Sequence, residues 1–451
     1  MKLIKNTKDL AKFLQLDCKT DLPIKDFQID SRKVTKNSVF FGLNGSNVDG
    51  SIYAEDAIKN GASLAIVSFS KTPLPKDQSH NIVRVPSPEK SLIQAAKIAM
   101  QAYQGCVIGI TGSNGKTTTK NILNHSIKNS FATFQNYNNE IGLPLCALSL
   151  DTKSKIAIFE MGAAKSGDIK LLSGVAKPHI GIITHIGHSH LEGLNSLKGV
   201  LDVKSELISN IQKHGVGIVP ECTHTSHWKS MRNDITFYTF GKTSSASFFP
   251  TQIKMSSKGL SFFIESIHLQ KKVKITTKLI GIHNILNILA SFAAIHASKS
   301  SVQDFCLALK NIQNGSQRMN IQPWINQSSL INDSYNANPD SMKAAIDFLC
   351  QLQGRKVAVL GDMRELGRFR KKLHIELGEY AKIHGIDLLI GYGDLMRHAV
   401  NRFGKKGFFF KNKCDLVNFL GHHLEKKDNI LLKGSRSMRM EEILTLWKKD
   451  D

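Results

Sequence analysis

The sequence predicts an α/β protein of three domains, in which strands alternate with helices and the larger sheets are parallel. Short apolar runs recur along the chain, and each is followed by a polar loop and a stretch with helical residues. A chain of 451 residues is too long for one hydrophobic core. At roughly 100–200 residues per domain we expect about three domains, with boundaries at residues 1–104, 105–315 and 316–451.

The first domain is predicted to be a small α/β unit. Residues 38–43 form an apolar strand, and residues 53–60 form a helical stretch. Residues 70–80 contain two prolines and are expected to form a surface loop. Ser31 and Arg32 precede a glycine-containing loop and could bind a diphosphate, because a guanidinium group forks onto phosphate oxygens. A turn with solvated side chains is the simpler local explanation of this pair.

The central domain is organised around residues 107–119, which predict a strand, a glycine-containing turn and a helix start. Such a turn directs backbone N–H groups and the positive end of a helix at one point, which favours phosphate. Lys116 can reach the β- and γ-phosphates of ATP, and the Thr117 hydroxyl can ligate Mg²⁺. Ile110 replaces the first glycine of the strict phosphate-loop pattern, so an ordinary glycine-rich turn is the alternative. The residues assigned to ATP in this loop are Thr111, Gly112, Ser113, Asn114, Gly115, Lys116, Thr117 and Thr118.

Two further strands of the central domain end in residues that could serve the same site. Glu160 follows a buried strand, and a carboxylate at the carboxyl end of a parallel strand is where a second Mg²⁺ ligand belongs. His185, His188 and His190 follow the next strand. They leave a strand rather than lie on a helix, so the helical zinc-binding spacing does not apply. We expect only one of them to face a metal.

Several other polar residues of the central domain have simple local explanations. Asn138 and Asn139 belong to an amide-rich segment that suits a sugar or a peptide, although such segments are often only turns. Lys204 is most simply a solvated charge on a helix. His283 and Asn284 stand at a helix start, where they would act as caps.

The third domain repeats the strand-to-loop pattern. The segments that show it are residues 330–333, 356–363, 387–391 and 429–436. A helix is expected at residues 342–352, capped by Asp340 or Ser341. This alternation predicts a parallel, doubly wound sheet whose site lies at the carboxyl ends of its strands. Two such domains that both present polar loops predict a cleft that closes on a substrate.

Charge and cysteine content argue against several protein classes. The formal net charge is +23, but the lysines are spread along the chain without a basic stripe interleaved with aromatic residues, so nucleic acid is not expected as a partner. The seven cysteines form no Cys-x-x-Cys pair, which indicates a reducing cytoplasm without disulfides or a zinc site. We find no signal segment, and no stretch approaches the roughly 18–20 apolar residues of a membrane span.

The order of these motifs resembles that of the ATP-dependent Mur ligases of peptidoglycan synthesis. The shared elements are Thr-Gly-Ser-Asn-Gly-Lys-Thr at residues 111–117, Glu-Met-Gly at residues 160–162, His190, Lys204, the pair His283 and Asn284, Arg318 and Asp333. Within this family, the segments that resemble the MurF branch are residues 138–144, 333–339, 360–367 and 433–436. The resemblance extends over nearly the whole chain and all three domains.

The resemblance implies an N-terminal domain that holds a uridine diphosphate group, a central ATPase domain and a C-terminal Rossmann-like domain. Matched by position, Lys116 and Thr117 hold the ATP phosphates and one Mg²⁺, and Glu160 and His190 are ligands of a second Mg²⁺. Lys204 matches a lysine that family members carry as a carbamate, which converts an amine into an anionic metal ligand.

On the same resemblance, His283 and Asn284 meet the nucleotide, while closure of the third domain delivers Arg318 to the γ-phosphate and Asp333 to the ribose. The residues with an implied catalytic role are Lys116, His190, Lys204 and Arg318. Those expected at the uridine diphosphate loops are Ser31, Arg32, Gly45 and Asp49. The other implied substrate contacts are Asn138, Asn139, Tyr335, Asn336, Asn338, Lys433, Ser435 and Arg436.

The implied activity is ATP-dependent ligation of D-alanyl-D-alanine to UDP-N-acetylmuramoyl-tripeptide through an acyl phosphate, by a cytoplasmic monomer without stable membrane insertion. A tripeptide ligase of the same family or a folylpolyglutamate synthetase would share the ATP residues and differ in the acceptor. Residues 138–139 and 333–336 favour the dipeptide acceptor. From another class, a basic phosphate-loop protein could be a nucleic-acid motor, which would need a surface of interleaved basic and aromatic residues.

Overall fold

The computed structural model describes residues 4–18, 20–45, 48–69, 81–256 and 259–447. In these ranges the chain forms three mainly parallel sheets flanked by helices and one small antiparallel sheet, which confirms the predicted α/β class. The surface loop predicted at residues 70–80 lies outside the described residues. None of the described helices has the length and apolarity needed to span a membrane.

The first domain contains a four-stranded parallel sheet in the order β1-β2-β3-β4. Its strands are β1 (Asp26–Gln28), β2 (Ser38–Gly42), β3 (Leu64–Ser68) and β4 (Ile82–Val85), and its helices are α1 (Thr7–Leu14), α2 (Ala54–Lys59) and α3 (Pro88–Gln101). Strands β2 and β3 are buried along their whole length, because helices cover both faces of a parallel sheet.

The second domain is built on a six-stranded parallel sheet in the order β10-β9-β8-β5-β7-β6. Its strands are β5 (Cys106–Thr111), β6 (Ser130–Ala132), β7 (Ile156–Glu160), β8 (Ile180–Ile183), β9 (Val216–Pro220) and β10 (Thr236–Phe240). A three-stranded antiparallel sheet follows, formed by β11 (Phe249–Ser256), β12 (Gly259–Glu265) and β13 (Val273–Thr277). Strand β5 lies between β7 and β8, so the residues after these three strands emerge at one edge.

The helices of the second domain pack on both sides of its parallel sheet and against the first domain. They are α4 (Lys116–Ser126), α5 (Gly142–Leu148), α6 (Asp168–Ala176), α7 (Leu191–Leu194), α8 (Leu197–Ser209), α9 (Thr225–Met231), α10 (His283–Ala297) and α11 (Val302–Asn311). Helix α3 of the first domain packs against α5 and α6. Every residue of α5 is buried in this contact region, so apolar burial fixes the first domain on the second.

The third domain contains a six-stranded sheet in the order β14-β15-β19-β16-β17-β18. Its strands are β14 (Asn320–Pro323), β15 (Ser329–Asp333), β16 (Lys356–Gly361), β17 (Leu388–Tyr392), β18 (Gly407–Phe410) and β19 (Asn429–Lys433). Its helices are α12 (Pro339–Cys350), α13 (Arg370–Ile383), α14 (Met396–Phe403), α15 (Lys413–His423) and α16 (Glu442–Trp447). Only β14 runs antiparallel to its neighbour within this sheet, and β15 and β19 lie side by side.

The predicted start of α12 was wrong. The helix begins at Pro339, and its cap is Asn338 rather than Asp340 or Ser341. Asn338 Oδ1 accepts a hydrogen bond from the Ser341 backbone N–H at 2.9 Å, and the Ser341 hydroxyl closes a capping box. Proline suits the first helical position because it lacks an N–H and its φ is already helical, so the cap is the residue before it.

Candidate active site

The phosphate loop connects β5 to α4 and contains two glycines with positive φ. Gly112 has φ +146° and Gly115 has φ +86°. A Cβ atom on Gly112 would collide with the Thr184 hydroxyl, and one on Gly115 would collide with the Asn287 amide oxygen. The glycines are therefore required both by backbone conformation and by close packing of the loop. Helix α4 then presents its N-terminal N–H groups, which is the arrangement that binds anions.

Lys116 is the first residue of α4, and its side chain folds back over the loop. Its Nζ donates a hydrogen bond to the Gly112 carbonyl at 2.6 Å. Burial lowers the pKa of Lys116; Glu160 opposes that shift and Arg318 reinforces it. A phosphate bound in the loop would oppose this shift, because a nearby negative charge stabilises the protonated amine.

The residues after β8 support the phosphate loop by hydrogen bonding. Thr184 Oγ1 donates to the Asn114 carbonyl at 2.5 Å, and Ser113 Oγ donates to the Gly187 carbonyl at 3.0 Å. The Ser189 hydroxyl donates to Ser113 Oγ at 2.8 Å. This second loop thus fixes the shape of the first before any ligand binds.

The three histidines of the second loop do not gather into a zinc site. His188 approaches Asp340, with 3.5 Å between His188 Nδ1 and Asp340 Oδ1, whereas His190 Nδ1 lies 2.5 Å from Glu365 Oε2. His185 lines the cavity described below. No group of three or more potential metal-binding side chains occurs in the described part of the chain.

Glu160 and Lys204 are the residues whose local surroundings fit a cation or an anionic modification. Glu160 ends β7, and its Oε1 accepts a hydrogen bond from Asn138 Nδ2 at 2.9 Å. Its Oε2 lies 3.8 Å from Lys120 Nζ. Among the residues that the structure describes, neither Glu160 Oε2 nor Lys204 Nζ has a hydrogen-bond partner, although both atoms are buried. Buried polar atoms without a hydrogen bond are uncommon and leave room for a further partner such as an ion.

The simple interpretation of Lys204 as a solvated charge was wrong. Lys204 is 0% exposed within α8. Burial, reinforced by the nearby charge of Lys116, lowers the pKa of Lys204 to about 7. The lowered pKa favours the neutral, nucleophilic form of this amine.

The start of α10 and the third domain together form the opposite wall. Asp333, at the end of β15, accepts an ion-paired hydrogen bond from Lys433 Nζ at 2.6 Å and one from the Met319 backbone N–H at 3.0 Å. Burial lowers the pKa of His283, while Asp333 opposes this shift and Lys433 reinforces it. The predicted capping by His283 and Asn284 was wrong: the N-cap of α10 is Ile282, without a side-chain cap. Asn284 Nδ2 instead donates to the Ile280 carbonyl at 2.7 Å.

Side chains of the third domain reach directly onto the phosphate loop. An Arg318 guanidinium nitrogen donates to Thr117 Oγ1 at 3.2 Å, and its Cζ lies 3.9 Å from the centre of the Tyr335 ring. The amides of Asn114 and Asn338 exchange two hydrogen bonds, at 2.8 and 3.2 Å. The second and third domains are therefore in contact across the loop, in a closed arrangement.

A cavity of about 1840 Å³ lies between these two domains. It is lined by most of the predicted site residues, namely Ser113, Asn114, Gly115, Lys116, Thr117, Thr118, Asn138, Asn139, Glu160, His190, His283, Asn284, Arg318, Asp333, Tyr335, Asn336, Asn338, Lys433, Ser435 and Arg436. Thr111, Gly112 and Lys204 do not line it. Such a volume accommodates a nucleotide together with a second substrate.

The residues predicted to bind a uridine diphosphate group lie apart from this cavity, in the first domain. Arg32 is held by both oxygens of Asp30, at 2.8 and 2.9 Å, yet its side chain is 87% exposed. Asp49 Oδ1 accepts from the Ser51 N–H at 2.9 Å, and the Gly45 N–H donates to the Val48 carbonyl at 3.0 Å. Ser31 begins a short 3-10 turn that ends at Lys33.

Three residues near the loop were not predicted from the sequence. Lys120 lies one helical turn after Lys116 and donates to the Thr133 carbonyl at 3.0 Å. Asn287 lies one turn after Asn284 and donates to its Oδ1 at 3.0 Å. The i, i+3 and i, i+4 spacings place both on the loop-facing side of their helices and were available as a signal. Glu365 lies in the segment 360–367 that resembles the MurF branch, but nothing in that segment indicated its contact with His190.

Family models match three parts of this chain. The Mur ligase family catalytic domain matches residues 23–100, the Mur ligase middle domain matches residues 110–295, and the Mur ligase glutamate ligase domain matches residues 317–436. The matches follow one another along the chain in the order of the three sheets.

Individual relatives match over almost their whole length. UDP-N-acetylmuramoyl-tripeptide–D-alanyl-D-alanine ligase of Bacillus subtilis is 33% identical, over 92% of this chain and 91% of its own. The crystal structure of MurF from Acinetobacter baumannii superposes with a TM-score of 0.90, at 27% identity and 99% coverage of both chains. The MurF ligase from Thermotoga maritima in complex with ADP gives a TM-score of 0.83, at 27% identity and coverage of 94% and 97%.

Proposed function

This chain belongs to the Mur ligase family, and we propose that it catalyses ATP-dependent addition of D-alanyl-D-alanine to UDP-N-acetylmuramoyl-tripeptide in peptidoglycan synthesis. The products are UDP-N-acetylmuramoyl-pentapeptide, ADP and phosphate. The single observation that carries the proposal is the contact of the third domain with the phosphate loop, through Arg318 and Asn338. A ligase needs this contact because its two substrates must meet the nucleotide in one closed space.

The chemistry follows from the poor reactivity of a carboxylate. In the first step the terminal carboxylate of the tripeptide attacks the γ-phosphorus of ATP, and ADP leaves. In the second step the dipeptide amine attacks the acyl carbon, loses a proton and expels phosphate. Lys116 and Arg318 contact the loop from opposite domains, so they would stabilise charge on the transferring phosphoryl group. Closure would exclude water, which otherwise hydrolyses the acyl phosphate.

We further propose that two Mg²⁺ ions bind beside the loop. Thr117 would hold one, and Glu160, His190 and a carbamate on Lys204 would hold the other. The lack of a hydrogen bond from any described residue to Glu160 Oε2 or Lys204 Nζ supports this assignment, because a cation next to a carbamate would satisfy both. When bound, the ions neutralise charge that moves with the phosphoryl group. A depressed pKa supports carbamate formation, since only a neutral amine attacks CO₂.

The remaining assignments concern contacts with the nucleotide and with the uridine diphosphate group. We propose that His283, Asn284 and Asp333 contact the nucleotide and that the exposed Arg32 contacts the uridine diphosphate group.

The residue ranges 1–104, 105–315 and 316–451 are proposed as the three functional domains. A cytoplasmic monomer is also proposed; the seven free cysteines are in keeping with a reducing compartment.

Phosphate release from ATP is the direct test of the proposed function. It is measured with UDP-N-acetylmuramoyl-tripeptide, with and without D-alanyl-D-alanine, and the products are weighed by mass spectrometry. We expect release that requires both substrates and a product heavier by the dipeptide. Release with a single amino acid, or with a folate, would reassign the chain to a tripeptide ligase or a folylpolyglutamate synthetase. Stimulation by nucleic acid would support a motor instead.

A further inference from the structure

A side-chain hydrogen bond between His190 and Glu365 joins the second and third domains. His190 stands at the start of α7, and its Nδ1 lies 2.5 Å from Glu365 Oε2. The same stretch of the third domain makes a backbone contact, because the Glu192 N–H donates to the Glu365 carbonyl at 3.0 Å. Glu365 therefore binds the second domain through both its side chain and its backbone.

The geometry around this pair is costly to form. His190 has φ +52° and Glu365 has φ +62°, so both partners adopt the left-handed conformation that non-glycine residues avoid. Gly367 also has positive φ, and a Cβ atom there would lie 3.1 Å from the Glu192 Cα. The chain thus brings two strained residues together at a tightly packed contact. Strain of this kind persists where the surrounding structure and function require it.

An ordinary surface ion pair does not account for that cost. The Glu365 side chain is 58% exposed, and contacts between exposed charged groups contribute little to stability. Such a contact does not offset the cost of two left-handed residues. The pair is therefore better explained by what it does to the imidazole than by its contribution to folding.

We propose that Glu365 is a positioning residue that prepares His190 as a metal ligand when the third domain closes. This inference rests on the metal site of the proposed function. The carboxylate takes the Nδ1–H hydrogen bond of His190, so the proton stays on Nδ1 and the Nε2 lone pair is left for the ion. Metal-binding histidines are commonly oriented by a carboxylate in this way. Here that carboxylate comes from another domain, so the metal site is complete only in the closed arrangement.

Manganese binding to the full-length protein with ADP tests the proposal without any turnover. Mn²⁺ serves as the probe, and electron paramagnetic resonance measures its free concentration. Coordination by an imidazole is detected as nitrogen modulation of the electron spin echo. We expect Glu365→Gln to weaken the more weakly held ion about 10-fold and to reduce the nitrogen signal. Glu192→Gln is the matched control, because Glu192 contributes only its backbone N–H to this contact.

The variants separate positioning from a structural role. Glu365→Asn keeps a residue that tolerates left-handed backbone and serves if Glu365→Gln folds poorly; it should weaken Mn²⁺ equally. Wild-type Mn²⁺ affinity and nitrogen signal in a folded Glu365 variant, with both lost in His190→Ala, would overturn the proposal. Unchanged binding in His190→Ala as well would overturn the metal assignment itself. Dipeptide ligation by the wild-type protein is measured separately, so failure of the proposed function would be recognised independently.

Discussion

At the scale of single residues, the position of Lys116 in the phosphate loop predicts a large loss of ligation when its charge is removed. Lys116→Met keeps the length of the side chain and removes the charge at the phosphate loop. We expect ligation to fall about 100–1000-fold, the usual effect of losing one charge-stabilising donor. Lys128→Met is the control, because Lys128 pairs with Asp304 at the surface. Steady-state phosphate release measures both variants, and near-wild-type turnover in folded Lys116→Met would refute the assigned role.

The proposed carbamate on Lys204 predicts that activity depends on carbon dioxide. The pKa of Lys204 is lowered to about 7, so the neutral amine predominates above that pH and is lost below it. We expect activity to fall when CO₂ is removed, to return with bicarbonate, and to be hardest to restore below about pH 7. Lys204→Gln should be inactive and unresponsive, whereas Lys198→Gln on the exposed face of α8 should respond normally. A wild-type activity indifferent to CO₂ would exclude the carbamate.

How far the sequence predicts a residue depends on how local its environment is. The phosphate loop was predictable because strand, glycines, Lys116 and helix are consecutive in the chain. Burial of Lys204 was not predictable, because a lysine within a helix carries no sign of the elements that pack over it. Glu365 was missed for the same reason: its partner His190 belongs to another domain, and no periodicity relates the two.

At the scale of elements, α12 couples its own stability to domain closure. Asn338 caps the helix through its oxygen and donates to Asn114 through its nitrogen. Asn338→Asp keeps the capping oxygen and removes the donor, so we expect near-normal stability and impaired turnover. Asn338→Ala should lose both functions and about 1 kcal/mol of unfolding free energy. Thermal unfolding and ligation assays distinguish these effects.

The cap of α15 provides the matched comparison. Asn412 accepts from the Asp415 N–H at 2.7 Å at an exposed site, and it does not line the cavity. Asn412→Ala should therefore cost similar stability and leave ligation intact. Equal turnover in Asn338→Asp and the wild type would show that the amide pair does not contribute to closure.

Elements were predicted better than their boundaries. The apolar runs located β5, β7, β8 and β15 because a buried parallel strand needs a continuous apolar segment. The start of α12 was misplaced because the expectation followed the apolar positions rather than the Asn338-Pro339 signal. Side-chain caps override hydrophobic periodicity at helix ends, where few residues are buried.

At the scale of the whole molecule, the residues alone predicted only a cleft between the domains, while the family resemblance implied that closure brings Arg318 to the γ-phosphate and Asp333 to the ribose. Parallel sheets present polar loops at one edge, so two such domains predict facing loops. The particular pairs that join them, Arg318 with Thr117 and Asp340 with His188, depend on the relative orientation of the domains. That orientation is set by tertiary packing, which local sequence patterns do not indicate.

The net charge of +23 predicts how salt affects the two substrates differently. UDP-N-acetylmuramoyl-tripeptide is a polyanion, whereas D-alanyl-D-alanine is a zwitterion without net charge, so long-range attraction acts on the first alone. Raising ionic strength from about 0.01 to about 0.1 M shortens the screening length from ~30 to ~10 Å. We expect kcat/KM for the nucleotide substrate to fall roughly 3–10-fold and that for the dipeptide to change little. Initial rates with each substrate varied in turn measure this. An equal loss of kcat/KM for both substrates would contradict the prediction, because it would show that salt acts within the closed site and not through long-range attraction by the net charge.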